Sequence, residues 1–438
     1  MSAFRDPEAG AFPPAEEAFA LEPGTKQFRE FLQGPSWQDI ETILGTPGQP
    51  IERLYRCIFF AKDPYRCPDP HRGVDVIAGA LELRLGDDGQ GHQGNAGDGG
   101  GGGSSPHAFS SVLFRHECCY LLGQIGADSS DVALKKRVYE KLASVLVDES
   151  EDEVTRHEAA EGIAAVLSFN KPEEATEAKE AGEATEAERV AALSSAIQEM
   201  HGLLEQFSDA SGANPLGQTC YLALQGLAAN HSRVCACQYK TYDPAIGDPV
   251  ATPADVPAHA ARLLGGHPEQ QPQPEGAKVD VDLFQRYVSL FTLRNLGAHS
   301  ELCQTLDSDT SSPVLRHEIA FILGQIGGED DEDDEDQSDD NDGGPGSSTS
   351  VMRRMIIDSL SRNLERAEEH DMVRHESAIA LGNAGVGDPA AMDVLRRYSD
   401  TSLYPPMVAE SCSIALDTMA YWDAWDREER RIKKQNSS

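Results

Sequence analysis

The chain has 438 residues, of which 39% are hydrophobic and only 6% aromatic, and its formal net charge is −37. That acidic balance excludes nucleic acid as a partner, because phosphate binding needs clustered Lys and Arg; a basic protein or polycation fits it better. No apolar run reaches the ~18 residues of a membrane span, the start Met-Ser-Ala-Phe-Arg-Asp has no basic-then-apolar leader, and nine cysteines without a framework spacing do not make a secreted disulfide scaffold. A cytoplasmic chain with no membrane association is expected, with the nucleus as an alternative.

Residues 1–25 read as a disordered tail, and 26–236 as an N-terminal array of helices. The array opens on the apolar stretch Leu54–Lys62. Gly86 to Ser105 follows, with five consecutive glycines at 99–103. It has no Gly-Lys-Ser/Thr ending, so it is a flexible insert and not a phosphate loop. Leu113–Gly126 carries Arg115-His116-Glu117, with Cys118 and Cys119 as buried helical thiols. Arg156-His157-Glu158 comes next, then a Glu/Ala/Lys-rich insert at 171–188, then Gln218–Leu224. Cys235-Ala-Cys237 is too weak a pattern for a metal site and reads as structural cysteines. Residues 237–279, rich in Pro, His and Gln, read as a linker. The second half, 280–425, runs through Tyr287–Arg294, Val314–Gly327 with Arg316-His317-Glu318, an acidic insert at about 328–350, Arg374-His375-Glu376 and Glu410–Leu416. A tail at 426–438 ends the chain.

The two halves repeat each other. Leu113–Gly126 and Val314–Gly327 agree at eight of fourteen positions, including Arg-His-Glu and Gly-Gln-Ile-Gly. Each half shows one helix without His-Glu, two with it, and one without. His116 to His157 is 41 residues and His375 to the aligned Glu410 is 35, which fits the ~35–45-residue period of two-helix HEAT-like repeats. The longer intervals hold the inserts, which fall between helices. The fold class expected is all-α: a HEAT-like helical-hairpin solenoid of two tandem-duplicated half-arrays facing each other across a linker. Several of its helices end in Gly, as a helix C-terminus often does.

Every His-Glu pair in the sequence belongs to one of the four Arg-His-Glu tripeptides. Equivalent solenoid helices stack about 8–10 Å apart, so His116 and His157 should meet across one helix pair, with Glu117 and Glu158 beside them. His317 and His375, with Glu318 and Glu376, should do the same in the other half. Two clusters result, each of two imidazoles and two carboxylates. HEAT units do not require such residues on an inner face, and burying them is costly unless they are satisfied. Imidazole plus carboxylate with open positions suits Fe(II), and paired clusters suit a di-metal centre; zinc and manganese stay chemically open. A zincin is excluded, because the residues four positions after each His are Tyr120, Glu161, Phe321 and Ile379 where H-E-x-x-H needs a second His. The arginines at 115, 156, 316 and 374 lie about 100° around the helix and should pair with acidic neighbours.

Four such pairs, two per half on tandem HEAT-like repeats, resemble the deoxyhypusine hydroxylases, as do Phe-Thr-Leu-Arg-Asn-Leu-Gly at 291–297 and Ala-Glu-Ser-Cys at 409–412. The resemblance spans most of residues 26–425 apart from the inserts. It implies two Fe(II) ions per chain that activate O2 for hydroxylation of one substrate, the deoxyhypusine side chain of translation initiation factor 5A. By that resemblance His116, His157 and Glu158 hold one iron, and His317, His375 and Glu376 the other. Glu117 and Glu318 match the remaining motif carboxylates; ligation, water orientation and contact with the substrate amine all stay open for them. An external electron donor of unknown identity and a monomeric state are also expected. The competing readings are a HEAT scaffold that binds a basic protein without catalysis, and a zinc or manganese hydrolase on the same ligands.

Overall fold

Short polar side chains start about half of the helices. Thr25, Ser36, Asp69, Ser111, Asp131, Asn214, Ser312 and Asp388 each accept a hydrogen bond from a backbone N–H of the first turn, satisfying donors that a helix start leaves orphaned. The computed structural model describes residues 15–46, 49–63, 66–67, 69–83, 111–168, 198–209, 214–229, 242, 244–265, 282–328 and 348–436. In chain order the helices are α1 (Ala15–Phe19), α2 (Lys26–Gln33), α3 (Trp37–Leu44), α4 (Ile51–Lys62), α5 (Pro70–Glu82), α6 (Val112–Asp128), α7 (Val132–Val147), α8 (Glu153–Ser168), α9 (Pro215–Ala228), α10 (Val256–Leu263), α11 (Leu283–Asn295), α12 (His299–Ser308), α13 (Pro313–Gly327), α14 (Ser348–Glu365), α15 (Asp371–Ala384), α16 (Pro389–Tyr398) and α17 (Pro406–Asn436). Residues 198–207 are also helical. The described residues contain no strand, and no helix among them is long and apolar enough to cross a membrane.

The all-α hairpin array is as expected. Helices α4, α6, α8 and α9 form the inner layer of one half; α11, α13, α15 and α17 form that of the other. Neighbouring inner helices stack in sequence, and α5, α7, α12, α14 and α16 pack behind them. The all-round apolar character of α6 and α13 follows from this sandwiching, since almost every residue from Leu113 to Ala127 and from Val314 to Gly327 is buried.

The array closes on itself. Helix α17 returns to pack on α4 and α6, and α9 meets α11 and α13 at the opposite seam. At the first seam Arg56 grips Asp417 with two bonds, at 2.6 and 3.2 Å, and Ser111 donates to Glu410 at 2.5 Å. At the second, Ser312 donates to Gln218 at 2.8 Å and Tyr221 donates to Asp282. The halves therefore face each other across a shared centre.

Three sequence expectations change. Within the supposed N-terminal tail, α1 packs on α17 and buries Ala18. The supposed C-terminal tail continues α17 to Asn436, with Arg427 donating to the Leu21 carbonyl at 2.7 Å. Gly327 is the last residue of α13 as expected, but Gly123, Gly126 and Gly324 lie inside their helices. They permit contact: a Cβ on Gly123 would sit 2.6 Å from the Gly162 Cα, one on Gly324 2.7 Å from the Ala380 Cβ, and one on Gly382 2.8 Å from the Ala415 Cα. Small residues thus draw the inner helices together at the positions where the histidines must converge. The 86–105 and 171–188 inserts lie outside the described residues, as do most of 328–350 and the Cys235-Ala-Cys237 pattern.

Gly123→Val should destabilise the chain by about 1–3 kcal/mol, the usual cost of overpacking, as read by denaturant unfolding. Gly79→Ala, where an added Cβ meets nothing within 4 Å, should leave stability unchanged or slightly raised.

Candidate metal centre

Each Arg-His-Glu tripeptide sits on an inner helix: α6, α8, α13 and α15. Successive residues of a helix point about 100° apart, and the three side chains divide accordingly. The arginines turn away from the ring centre. Arg115, Arg156 and Arg374 donate to the carbonyls of Leu81, Leu146 and Leu364 at 2.8, 2.9 and 3.1 Å. Those carbonyls lie in the last turns of the preceding outer helices, where a cation offsets both orphan acceptors and the helix dipole. Arg115 also pairs with Glu151, and Arg316 pairs with Glu369 and Asp309. The expected acidic pairing therefore holds in full for Arg115 and Arg316. For Arg156 and Arg374 a backbone carbonyl is the main partner.

The histidines turn inward and meet. The His116 ring centroid lies 6.2 Å from that of His157, 6.1 Å from that of His317 and 5.0 Å from that of His375. His317 lies 5.5 Å from His157 and 5.4 Å from His375. Sequence reasoning kept two pairs apart; ring closure puts all four imidazoles in one cluster, with contacts across the halves as short as those within them. Carboxylates cross the same helix pairs in each half. Glu158 approaches the Nε2 of His116 at 3.1 Å, and Glu376 approaches that of His317 at 3.6 Å.

These groups are deeply buried, with His157 and His375 at 0% exposure and Glu117, Glu158, Glu318 and Glu376 at 4–6%. Both ring nitrogens of His116 and His375, and the Nε2 atoms of His157 and His317, have no hydrogen-bond partner of good geometry. Buried orphan nitrogens are costly, and a metal ion is the ligand that would satisfy lone pairs arranged this way. Three groups bring donor atoms within 4.8 Å of one another: His116, His157 and His317; His317, His375 and Glu376; His157, Glu158 and Glu161. The second is the set inferred for one metal from the sequence. The other two divide the remaining set, one adding His317 and the other Glu161, whose carboxylate lies 3.7 Å from the Nε2 of His157. Glu117 and Glu318 line the same cavity but join none of these groups among the described residues.

Protonation reflects the crowding. Burial works against a charged His116, yet Glu158 and Glu117 outweigh it and hold its pKa well above the usual range. Burial would raise Glu158, but His116 overrides this and lowers it. Burial, with help from the charge of His116, pushes His157 down to about 4. Burial and the neighbouring imidazoles push His317 and His375 well below the usual range. Burial, reinforced by Glu117, lifts Glu376 to about 8. Three neutral imidazoles are thus ready to donate lone pairs.

Further residues that the sequence did not single out complete the site. Thr219 on α9 contacts the Nδ1 of His157 at 2.5 Å, which leaves Nε2 to face the cluster; the partner on the other ring nitrogen is what orients a ligating imidazole. Its aligned counterpart Ser411 donates instead to the Met407 carbonyl, at 2.8 Å. Above the cluster opens a cavity of about 190 Å³, lined in part by Tyr55, Phe59, Tyr120, Phe321, Tyr242 and Pro244. Tyr242 and Pro244 come from the expected linker, which also packs through α10 on α11. The alignment of the two Thr/Ser-Cys strings held a signal for Thr219; nothing local pointed to Tyr242.

No family model matches the chain. Deoxyhypusine hydroxylase of Schizosaccharomyces pombe is 28% identical over 332 residues, covering 74% of this chain and 80% of the relative. The enzyme of that name from Rattus norvegicus is 29% identical over 322 residues, covering 72% and 79%. The chain is similar to the deoxyhypusine hydroxylases over most of its length. The structure of human deoxyhypusine hydroxylase in complex with glycerol shares the fold, with a TM-score of 0.54 and 24% identity, covering 87% of this chain and 95% of that one. The duplicated helical array is therefore an architecture that this chain has in common with the human enzyme.

Two outcomes follow for the metal centre. Glu376, with a pKa of about 8, holds a proton at pH 7 that ligation as a carboxylate must displace. Affinity for Fe(II) or a surrogate divalent ion should therefore rise as pH rises toward and past about 8. Calorimetry in buffers of differing ionisation enthalpy should show more proton release at pH 7 than at pH 9. Thr219→Val should weaken metal binding about 10–100-fold, measured by chelator competition.

Proposed function

We propose that this chain is a deoxyhypusine hydroxylase that uses two Fe(II) ions and O2 to hydroxylate the deoxyhypusine side chain of translation initiation factor 5A. The observation that carries the proposal is the buried four-imidazole cluster with orphan nitrogens, of which His116 and His317 line a cavity, in a chain similar to named hydroxylases.

The donor chemistry fits iron, since neutral imidazoles and carboxylates with open positions are the ligands of non-haem Fe(II) oxygenases. His317, His375 and Glu376 would hold one ion; His116 and His157 with Glu158 would hold the other. When bound, the metal supplies O2 activation. Hydroxylation places one oxygen atom of O2 in a C–H bond and releases the other as water, so an external donor must provide two electrons.

The chain's own residues supply the surroundings. Burial of the floor keeps bulk water from the reacting centre. Glu117 and Glu318 stand at the cavity wall outside the donor groups, which suits them to meet a cationic substrate amine or to hold a proton. Burial and then the charge of Glu117 push the Tyr120 phenol well above its usual range, so it stays protonated as a hydrogen-bond donor. The apolar walls, among them Phe59 and Phe321, suit methylene groups. The net charge of −37 would draw in a basic partner.

Incubation of the purified chain with iron, a reductant, O2 and deoxyhypusine-bearing factor should add one oxygen atom to the factor, seen by mass spectrometry; no mass gain where a known hydroxylase works would refute the proposal. His157→Ala and His375→Ala should each lose iron and activity while keeping their helical circular dichroism. Unfolding of both variants would instead make these histidines structural.

A further inference from the structure

The residues four positions after each cluster histidine form a second tier. On a helix, i and i+4 share a face about one turn apart. Tyr120, Glu161, Phe321 and Ile379 therefore stand one turn from His116, His157, His317 and His375 on four different inner helices. All four line the cavity and all are half-buried, whereas the four histidines are buried. The tier is the mouth of the cavity, and the buried His116, His317, Glu117, Glu158, Glu318 and Glu376 are its floor.

The floor nearly repeats between the halves, and the mouth does not. Tyr120 and Phe321 are a matched aromatic pair, with ring centroids 6.3 Å apart edge to face. At the other two positions the internal symmetry fails: α8 presents Glu161 and α15 presents Ile379. Glu161 is the one ionisable carboxylate of the tier. Its side chain is 27% exposed, against 5–8% for those of Glu117, Glu158 and Glu376, so it can meet an incoming group before the floor does.

A symmetric floor would accept an extended cationic side chain in either of two directions. We propose that Glu161 sets the direction: it takes the protonated amine of the substrate side chain on the α8 side, Tyr120 and Phe321 flank its methylenes, and Ile379 disfavours charge on the α15 side. This rests on the function proposed above and adds a residue that none of the Arg-His-Glu motifs contains. An ammonium bound to a carboxylate gains a charge-assisted hydrogen bond, and the aromatic faces add cation–π attraction. An apolar side chain opposite leaves a misoriented charge unpaired, which supplies the repulsive part of the discrimination. The rival role for Glu161 is that of a metal ligand, since it groups with His157 and Glu158.

The test compares wild type, Glu161→Gln and the double variant Glu161→Gln/Ile379→Glu. Each is assayed for bound iron and for steady-state hydroxylation of the deoxyhypusine-bearing factor. Glu161→Gln should keep its full iron content and lose about 10–100-fold in kcat/KM, mainly through KM, as expected for one charge-assisted bond. The double variant should recover KM while kcat stays at least about tenfold low, because its anchor holds the chain reversed. Iron loss in Glu161→Gln would make this residue a ligand and overturn the inference. Unchanged kcat/KM beside an active wild type would overturn it too, as would recovery of both constants in the double variant. A wild type that adds no oxygen would instead overturn the functional proposal, and this inference with it.

Discussion

Four imidazoles in mutual contact, buried at the meeting point of four helices, are the constraint on which the rest of this structure depends. Apolar side chains would stabilise such a centre more cheaply, because each orphan ring nitrogen carries a desolvation penalty. Other features support the convergence. Glycine and alanine at 123, 162, 324, 380, 382 and 415 let the inner helices approach closely enough for the rings to meet. The arginine before each histidine is turned outward, where three of the four bind the end of the preceding outer helix. The Arg56–Asp417 pair closes the ring at the seam opposite the Ser312–Gln218 contact.

A metal-binding role accounts for this cluster in a way that a purely structural role does not. His157, His317 and His375 are held neutral mainly by burial, the protonation state in which a ring nitrogen can donate its lone pair. His116 and Glu158 instead form a charged pair, so a cation arriving between them would displace a proton and take its place. Binding to donors from both halves would also link metal loading to the integrity of the closed ring.

Much of this was legible in the sequence because the information is local and repeated. The Arg-His-Glu tripeptides, the Gly-Gln-Ile-Gly strings and their spacing mark the inner helices and the duplication without reference to distant contacts. What was not legible depends on closure. That His116 lies nearer to His375 than to His157 follows from how α17 returns to α4 and α6, and no spacing along the chain encodes it. Thr219 lies in a repeat copy without His-Glu, so its contact with His157 is invisible until α9 is seen beside α8. Tyr242 comes from a segment whose composition reads as linker. Gly126 looked like a helix end because a string ending in Gly is ambiguous between a cap, as at Gly327, and a close packing contact. Glu161 was visible as the residue that ruled out a zincin, but its place at the cavity mouth required the four helices to be assembled.

The central claim is that the four histidines, drawn from both halves, form one centre for two metal ions. Anomalous diffraction at the iron edge from crystals of the iron-loaded chain tests it most directly. Two peaks of comparable strength are predicted within the ring of His116, His157, His317 and His375, one with Glu376 beside it and one with Glu158. A single peak at the surface, or no peak inside the ring at full iron loading, would contradict the account.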